Sequence, residues 1–128
     1  MQAIEMPPIV QGNTAVLLGR LEDIDGTPLV QADVSAVSVK VYDMDQRENV
    51  VVSDTPNVSD VIFNTLQTWP TIPGFTAPDS EGYNFRYETL ATFFPQGNRR
   101  YQVEVIATVG GKPRSQIWRQ STIDLFQS

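Results

Sequence analysis

The chain has 128 residues, 41% of them hydrophobic and 19% charged, with no cysteine, no histidine and a formal net charge of -6. That length supports one domain with a core of its own, and the composition is too apolar for a disordered chain. The missing histidine and cysteine exclude thiol nucleophiles, Ser-His-Asp relays, histidine-ligated metals and CxxC redox sites, while the negative balance disfavours sequence-independent nucleic-acid binding.

No apolar run approaches the roughly 20 residues that cross a bilayer. The start "MQAIEMPPIVQG" lacks the basic lead and continuous apolar stretch of a signal peptide, so a protein made in the cytoplasm is expected. Residues 1–12 read as an N-terminal arm whose apolar Ile4, Met6 and Ile9 are candidate partner contacts, with the domain proper over 13–128.

"NTAVLLGRLED" predicts a strand from about Ala15 to Asp23, with Leu17 and Leu21 on the face opposite Val16 and Leu18. "LEDIDGTPLVQADV" then raises a choice between a metal loop and a turn. Asp25 can accept a backbone N–H, Gly26 can take a left-handed conformation and Pro28 restarts extended chain. The EF-hand pattern fails, because no glutamate follows before Glu48; a looser calcium site of Asp23, Asp25 and Asp33 is the alternative.

In "VSAVSVKVYD" the residues Val37, Val39 and Val41 alternate with polar neighbours, the period of a half-buried strand. "ENVVVSD" and "DVIFNTL" are shorter β-branched runs. "YNFRYETL" sets Tyr83, Phe85 and Tyr87 opposite Asn84, Arg86 and Glu88. "RRYQVEVIATVGGK" alternates Tyr101, Val103, Val105 and Ala107 against polar residues, and Gly110-Gly111 supplies the positive φ angles of a two-residue hairpin. On the returning strand Ile117, Ile123 and Leu125 share one parity while Trp118 and Phe126 share the other, which predicts a bulge or two-sided burial near Arg119. The sum is an all-β sandwich of about seven to eight antiparallel strands.

Between two of these strands, "LQTWPTIPGFTAPDSEG" (66–82) carries Pro70, Pro73 and Pro78 with Trp69, Ile72 and Phe75. Loops of this length tend to be functional, and prolines lower the entropy lost when a partner fixes them. Trp69, Ile72 and Phe75 are therefore candidate docking residues; the structural alternative is that Trp69 and Phe75 fold back over one end of the sandwich. Charge is uneven: residues 1–60 carry ten acids and three bases, and 61–128 carry five acids and six bases. Arg99-Arg100, the one adjacent basic pair, reads as a solvated strand entrance. Neither Lys40 nor Lys112 lies in a catalytic motif, and no phosphate-binding glycine loop appears, so no enzyme and no cofactor is expected.

"GRLEDIDGTPLVQADVSAVSVKVYD" and "FFPQGNRRYQVEVIATVGGK" resemble, in two blocks, the early and late strands of immunoglobulin-like and fibronectin III-like modules. The resemblance implies an immunoglobulin-like sandwich with Tyr101 as a corner tyrosine, bonded to backbone a few residues upstream, and Val103 where antibody domains have a cysteine. Lacking both cysteines and a third-strand tryptophan, the chain is not antibody-like. "DVIFNTLQTWP" with "DSEGYNFRYETL" is similar to small structural proteins of tailed bacteriophages: capsid decoration, head-completion or baseplate accessory proteins. That resemblance implies a virion protein made in the host cytoplasm, bound to capsid, neck or tail subunits or to further copies of itself, with no nucleic-acid or membrane partner. The alternative is an adhesion or carbohydrate-binding module stacking sugars on Trp69, Tyr83, Tyr87 or Trp118.

Overall fold

The computed structural model describes residues 3–45 and 50–124. Strands make up 48% of the described residues, among which helix is almost absent. Among the described residues nine strands follow in order: β1 (Ile4–Glu5), β2 (Ile9–Val10), β3 (Val16–Gly19), β4 (Ala36–Asp43), β5 (Val50–Asp54), β6 (Ile62–Gln67), β7 (Tyr83–Glu88), β8 (Arg100–Val109) and β9 (Lys112–Ile123). A 3₁₀ turn, Gln31–Asp33, precedes β4, and a single helical turn, Val58–Val61, opens into β6. One sheet has the order β1-β9-β8-β4-β5, with β2 also on β9; the other is β3-β7-β6.

The alternating valines of β4 face their counterparts on β8 in unbroken register, Val37 opposite Ala107, Val39 opposite Val105 and Val41 opposite Val103. All six are buried, as the period-two pattern predicts. The β8–β9 hairpin closes through Gly110 (φ +57) and Gly111 (φ +78), between paired Val109 and Lys112. Two successive positive φ angles define the turn whose twist matches the strands it joins. Across the interior, Phe85 of the small sheet meets Trp118 of the large one at 5.3 Å between ring centroids. The Trp118 indole donates to the Leu18 carbonyl at 2.9 Å, and its ring fills the space where a side chain at Gly19 would stand. Burying a ring of that size contributes about 5 kcal/mol before entropic costs.

Three features depart from the expected strands. The first is orientation: β1 and β2 run parallel to β9, whereas antiparallel pairing was expected throughout. Residues 4–10 lie along the chain's own last described strand, with Ile4, Met6 and Ile9 partly buried against the core. Pro7 and Pro8 break the ladder between β1 and β2 because proline has no N–H. The Gln120 side chain bridges the gap by donating to the Pro7 carbonyl at 2.7 Å.

The second departure is β3, which ends at Gly19 instead of running to Asp23. Leu21 takes its hydrogen bonds from Asn84, whose amide accepts from the Leu21 N–H (2.7 Å) and donates to the carbonyls of Leu21 (2.9 Å) and Leu29 (2.8 Å). Asn84 shares the parity of exposed Arg86 and Glu88, yet it is buried because the 21–29 turn closes over it.

The third is β9, where of the two expected arrangements near Arg119 the bulge is absent, the register with β8 being continuous from Arg100↔Ser121 to Val109↔Lys112, and side chains of both parities are buried or half-buried. Its buried parity is Trp118, Gln120 and Thr122, and Ile117 and Ile123 lie half-buried on the other face. Thr122 tolerates burial because its hydroxyl donates to the Gln96 carbonyl at 2.6 Å, and Gln120 is held through its amide nitrogen, which donates to the carbonyls of Pro7 and Ser121, while its Oε1 has no partner among the described residues. Leu125 and Phe126 lie outside the described residues.

Tyr101 is buried, and its hydroxyl accepts from the Gln96 N–H at 3.1 Å and donates to the Gln96 carbonyl at 3.4 Å, five residues upstream. Burial raises its pKa above the ordinary tyrosine value. Val103, two residues on, is fully buried. In the 21–29 turn Gly26 has φ +84 and donates to the Asp23 carbonyl at 2.9 Å.

Candidate functional site

The 66–82 stretch is fixed to the sheets by one acid. Asp79 Oδ1 accepts from the backbone N–H of Glu81 (2.9 Å) and Gly82 (3.4 Å), the local turn that aspartate favours. The same oxygen accepts from the Trp69 indole N–H at 3.1 Å. Oδ2 meets the Arg20 guanidinium at 2.6 Å, and Arg20 also donates to the Gly82 carbonyl at 3.0 Å. Arg20, just past β3, keeps 15% of its side chain in solvent and lies 3.4 Å from Glu22 and 3.5 Å from Glu81. Its guanidinium holds the Asp79 carboxyl well below the usual carboxylate range, with help from the indole and the two amides. The hydrogen bond to Asp79 in turn raises Arg20 above its ordinary value, against the opposing effect of burial.

Gly82 is required where it stands. Its φ is +119, and any Cβ there would run into the Gln67 carbonyl oxygen at the end of β6. The Trp69 ring packs on Tyr83 (5.5 Å, 46°) and Phe75 (6.1 Å, 44°), and Tyr83 meets Phe63 edge-on at 5.9 Å. Gly74 (φ +81) turns the loop beside Pro7, so the proline-containing loop touches the N-terminal strands.

Between β1 and residues 69–79 lies a cleft of about 780 Å³. Ile4, Trp69 and Pro78 give it apolar walls, and Arg20, Glu22 and Asp79 give it a charged side. Glu5, on the β1 edge, pairs with Arg119 at 3.7 Å. Three acids (Glu5, Glu22, Asp79) and one arginine (Arg20) line the cleft, which therefore carries surplus negative charge.

Of the residues singled out as partner contacts, Trp69 and Ile4 meet in this cleft. Ile72 and Phe75 are half-buried on the same loop without lining it, and Met6 and Ile9 pack toward the core. Arg20, Glu22 and Asp79 were not expected. "APDSEG" carried the signal for an aspartate-capped turn, but nothing local pointed to Arg20, 59 positions earlier. Trp118 and Tyr87 are buried and cannot stack on a sugar, and the rings around Trp69 are inclined by 44° or more rather than coplanar. Asp23, Asp25 and Asp33 each cap a local backbone N–H, of Ile24, Thr27 and Val30, and Asp23 also pairs with Arg114 at 3.0 Å. Among the described residues no group of three potential ligands is placed to hold a metal ion. Arg99, expected to be solvated, reaches Asp43 at 3.1 Å and Asp45 at 3.3 Å.

No family model matches the sequence, and no curated protein is similar to it.

Proposed function

We propose that this chain is a non-enzymatic, immunoglobulin-like structural module of a tailed-phage virion, binding other virion subunits in a capsid-decoration, head-completion or baseplate accessory role. The immunoglobulin-like reading is supported by the strand order, three strands (β3-β7-β6) facing a sheet centred on β9-β8-β4 with β5 added at its edge. That matches the division of an immunoglobulin sandwich into a B-E-D sheet and a G-F-C sheet extended by one strand. The Tyr101–Gln96 bond adds a corner tyrosine on the sixth strand of that scheme. The virion setting is supported by the resemblance of residues 60–70 and 79–90 to phage structural proteins, and these two blocks frame the Trp69 loop.

The observation that carries a binding role is the cleft where the edge strand β1 and the pinned loop meet. Its central acid suits recognition rather than proton transfer, because a carboxyl held low by an arginine and three N–H groups is a weak base and is no acid at neutral pH. The test is capture of partners by tagged protein from a phage-infected or induced lysate, with mass spectrometry of what is retained. A major capsid, portal or tail protein in stoichiometric amounts, lost with Trp69→Ala, supports the reading. Recovery of polysaccharide, or of no virion protein, refutes it.

A further inference from the structure

We propose that the cleft binds an extended peptide segment bearing a lysine or arginine, which adds to the edge of β1 that no strand covers among the described residues; this rests on the protein-binding reading above and names the ligand of that site. The argument starts from backbone geometry. The Met6 N–H donates to the Arg119 carbonyl at 3.0 Å, across the parallel ladder that pairs Ile4 with Trp118 and Glu5 with Arg119. In such a ladder alternate residues turn their peptide groups to the neighbour, so Ile4 and Met6 bond β9 while Glu5 presents its N–H and C=O to the other side. That side is the cleft, which Ala3, Ile4 and Glu5 line. A free strand edge offers main-chain hydrogen bonds to any extended chain, and the neighbouring side chains decide which one it takes.

Here the side chains select positive charge. The Arg20 head is largely buried against Asp79, Glu22 and the Gly82 carbonyl, so it offers an incoming ligand little positive charge. Glu5 and Glu22 keep 70% and 38% of their side chains exposed. A cationic side chain reaching over them meets net negative charge, and its aliphatic stem can lie along Ile4, Pro78 and the Trp69 ring, whose face also attracts cations. An acidic segment would meet repulsion on the same path. The loop is set before binding by Asp79 and three prolines, which lowers the ordering cost of capture.

The experiment is an NMR titration of the ¹⁵N-labelled chain with two blocked heptapeptides of alternating threonine and valine. One has lysine and arginine at its two central alternate positions, and the other has glutamate at both. The expected result is saturable movement of the Glu5 amide and the Trp69 indole N–H by the basic peptide alone, with affinity falling about fivefold between about 50 and about 300 mM salt. Glu5→Pro removes the outward N–H while leaving the β1–β9 bonds in place, and Glu22→Gln removes the exposed acid. Each is expected to weaken binding about tenfold, or about 1.4 kcal/mol, with the rest of the spectrum unchanged. If Glu5→Pro displaces β1, seen as shifts of Ile4 and Met6, Glu22→Gln alone decides. No saturable shift at millimolar peptide, an equal response to both peptides, or changes confined to another surface would overturn the proposal. Capture of a virion protein without any peptide response overturns this inference and leaves the structural role standing.

Discussion

Asn84→Ala tests how the site is held in place. Asn84 is 1% exposed and makes three hydrogen bonds to the 21–29 turn. Two of the groups it serves have no substitute in the structure, the Leu21 N–H and the Leu29 carbonyl. The third, the Leu21 carbonyl, also accepts from the Leu29 N–H at 2.9 Å. Leaving a buried backbone group unmet costs about 1–3 kcal/mol, so two such groups give a loss of about 3 kcal/mol. That is a large share of the roughly 5–15 kcal/mol by which domains are stable. Urea unfolding followed by tryptophan fluorescence should show the midpoint lowered by about 2 M at an unchanged slope of ~1.5 kcal/mol/M. The turn leads directly into Arg20 and Glu22, so the Trp69 indole resonance should move as well. A loss below about 1 kcal/mol would refute the reasoning, because it would mean that the two backbone groups find partners without Asn84.

Asp79→Asn replaces the oxygen that faces Arg20 by an amide N–H group and should cost about 1 kcal/mol, the value of a partly exposed pair, while its Oδ1 still accepts from the Trp69 indole, so the tryptophan emission maximum should stay in place. Because the native Asp79 pKa lies below its ordinary value, this contribution is present above about pH 4 and fades as pH falls, so wild type and Asp79→Asn should converge in stability in acid. Tyr87 donates to Asp54 at 2.6 Å, and burial together with that carboxylate raises its pKa above the ordinary 10.0. Its contribution is therefore full below pH 10 and lost as pH rises beyond it, and urea midpoints on either side of pH 10 should fall less in Tyr87→Phe than in wild type. Replacing Gly110 and Gly111 together by alanine should cost about 2–3 kcal/mol, since each position needs a left-handed backbone; a loss under about 1 kcal/mol would show that the hairpin re-forms with another turn.

The parts legible in the sequence are those whose cause is local. The valines of β4, the Tyr101–Ala107 alternation of β8 and the paired glycines after it each carry their structural reason within a few residues. The burial of Asn84 was not legible because strand parity says which way a side chain points, not what covers that face; only the fold of residues 21–29 buries it. The inner parity of β9 was obscured for a related reason, since Gln120 and Thr122 look like surface residues until Pro7 and Gln96 arrive as partners. The cleft was half legible. Trp69 and Ile4 stood out as apolar residues in odd settings, but the charges between them come from Arg20 and Asp79, which only tertiary folding brings together.

The parallel pairing of β1 and β2 with β9 has a consequence for synthesis. Ile4, Ile9 and Val10 leave the ribosome more than a hundred residues before their partners Trp118, Thr122 and Ile123. Until then three apolar side chains and the edge of a strand have nowhere to go, and closing so long a loop is slow. The sheets β3-β7-β6 and β8-β4-β5 can assemble from shorter separations first, so one wall of the cleft is laid down last. A nascent chain halted before Trp118 would lack the β1 wall of the cleft, which ties any partner binding there to completion of the β8–β9 hairpin.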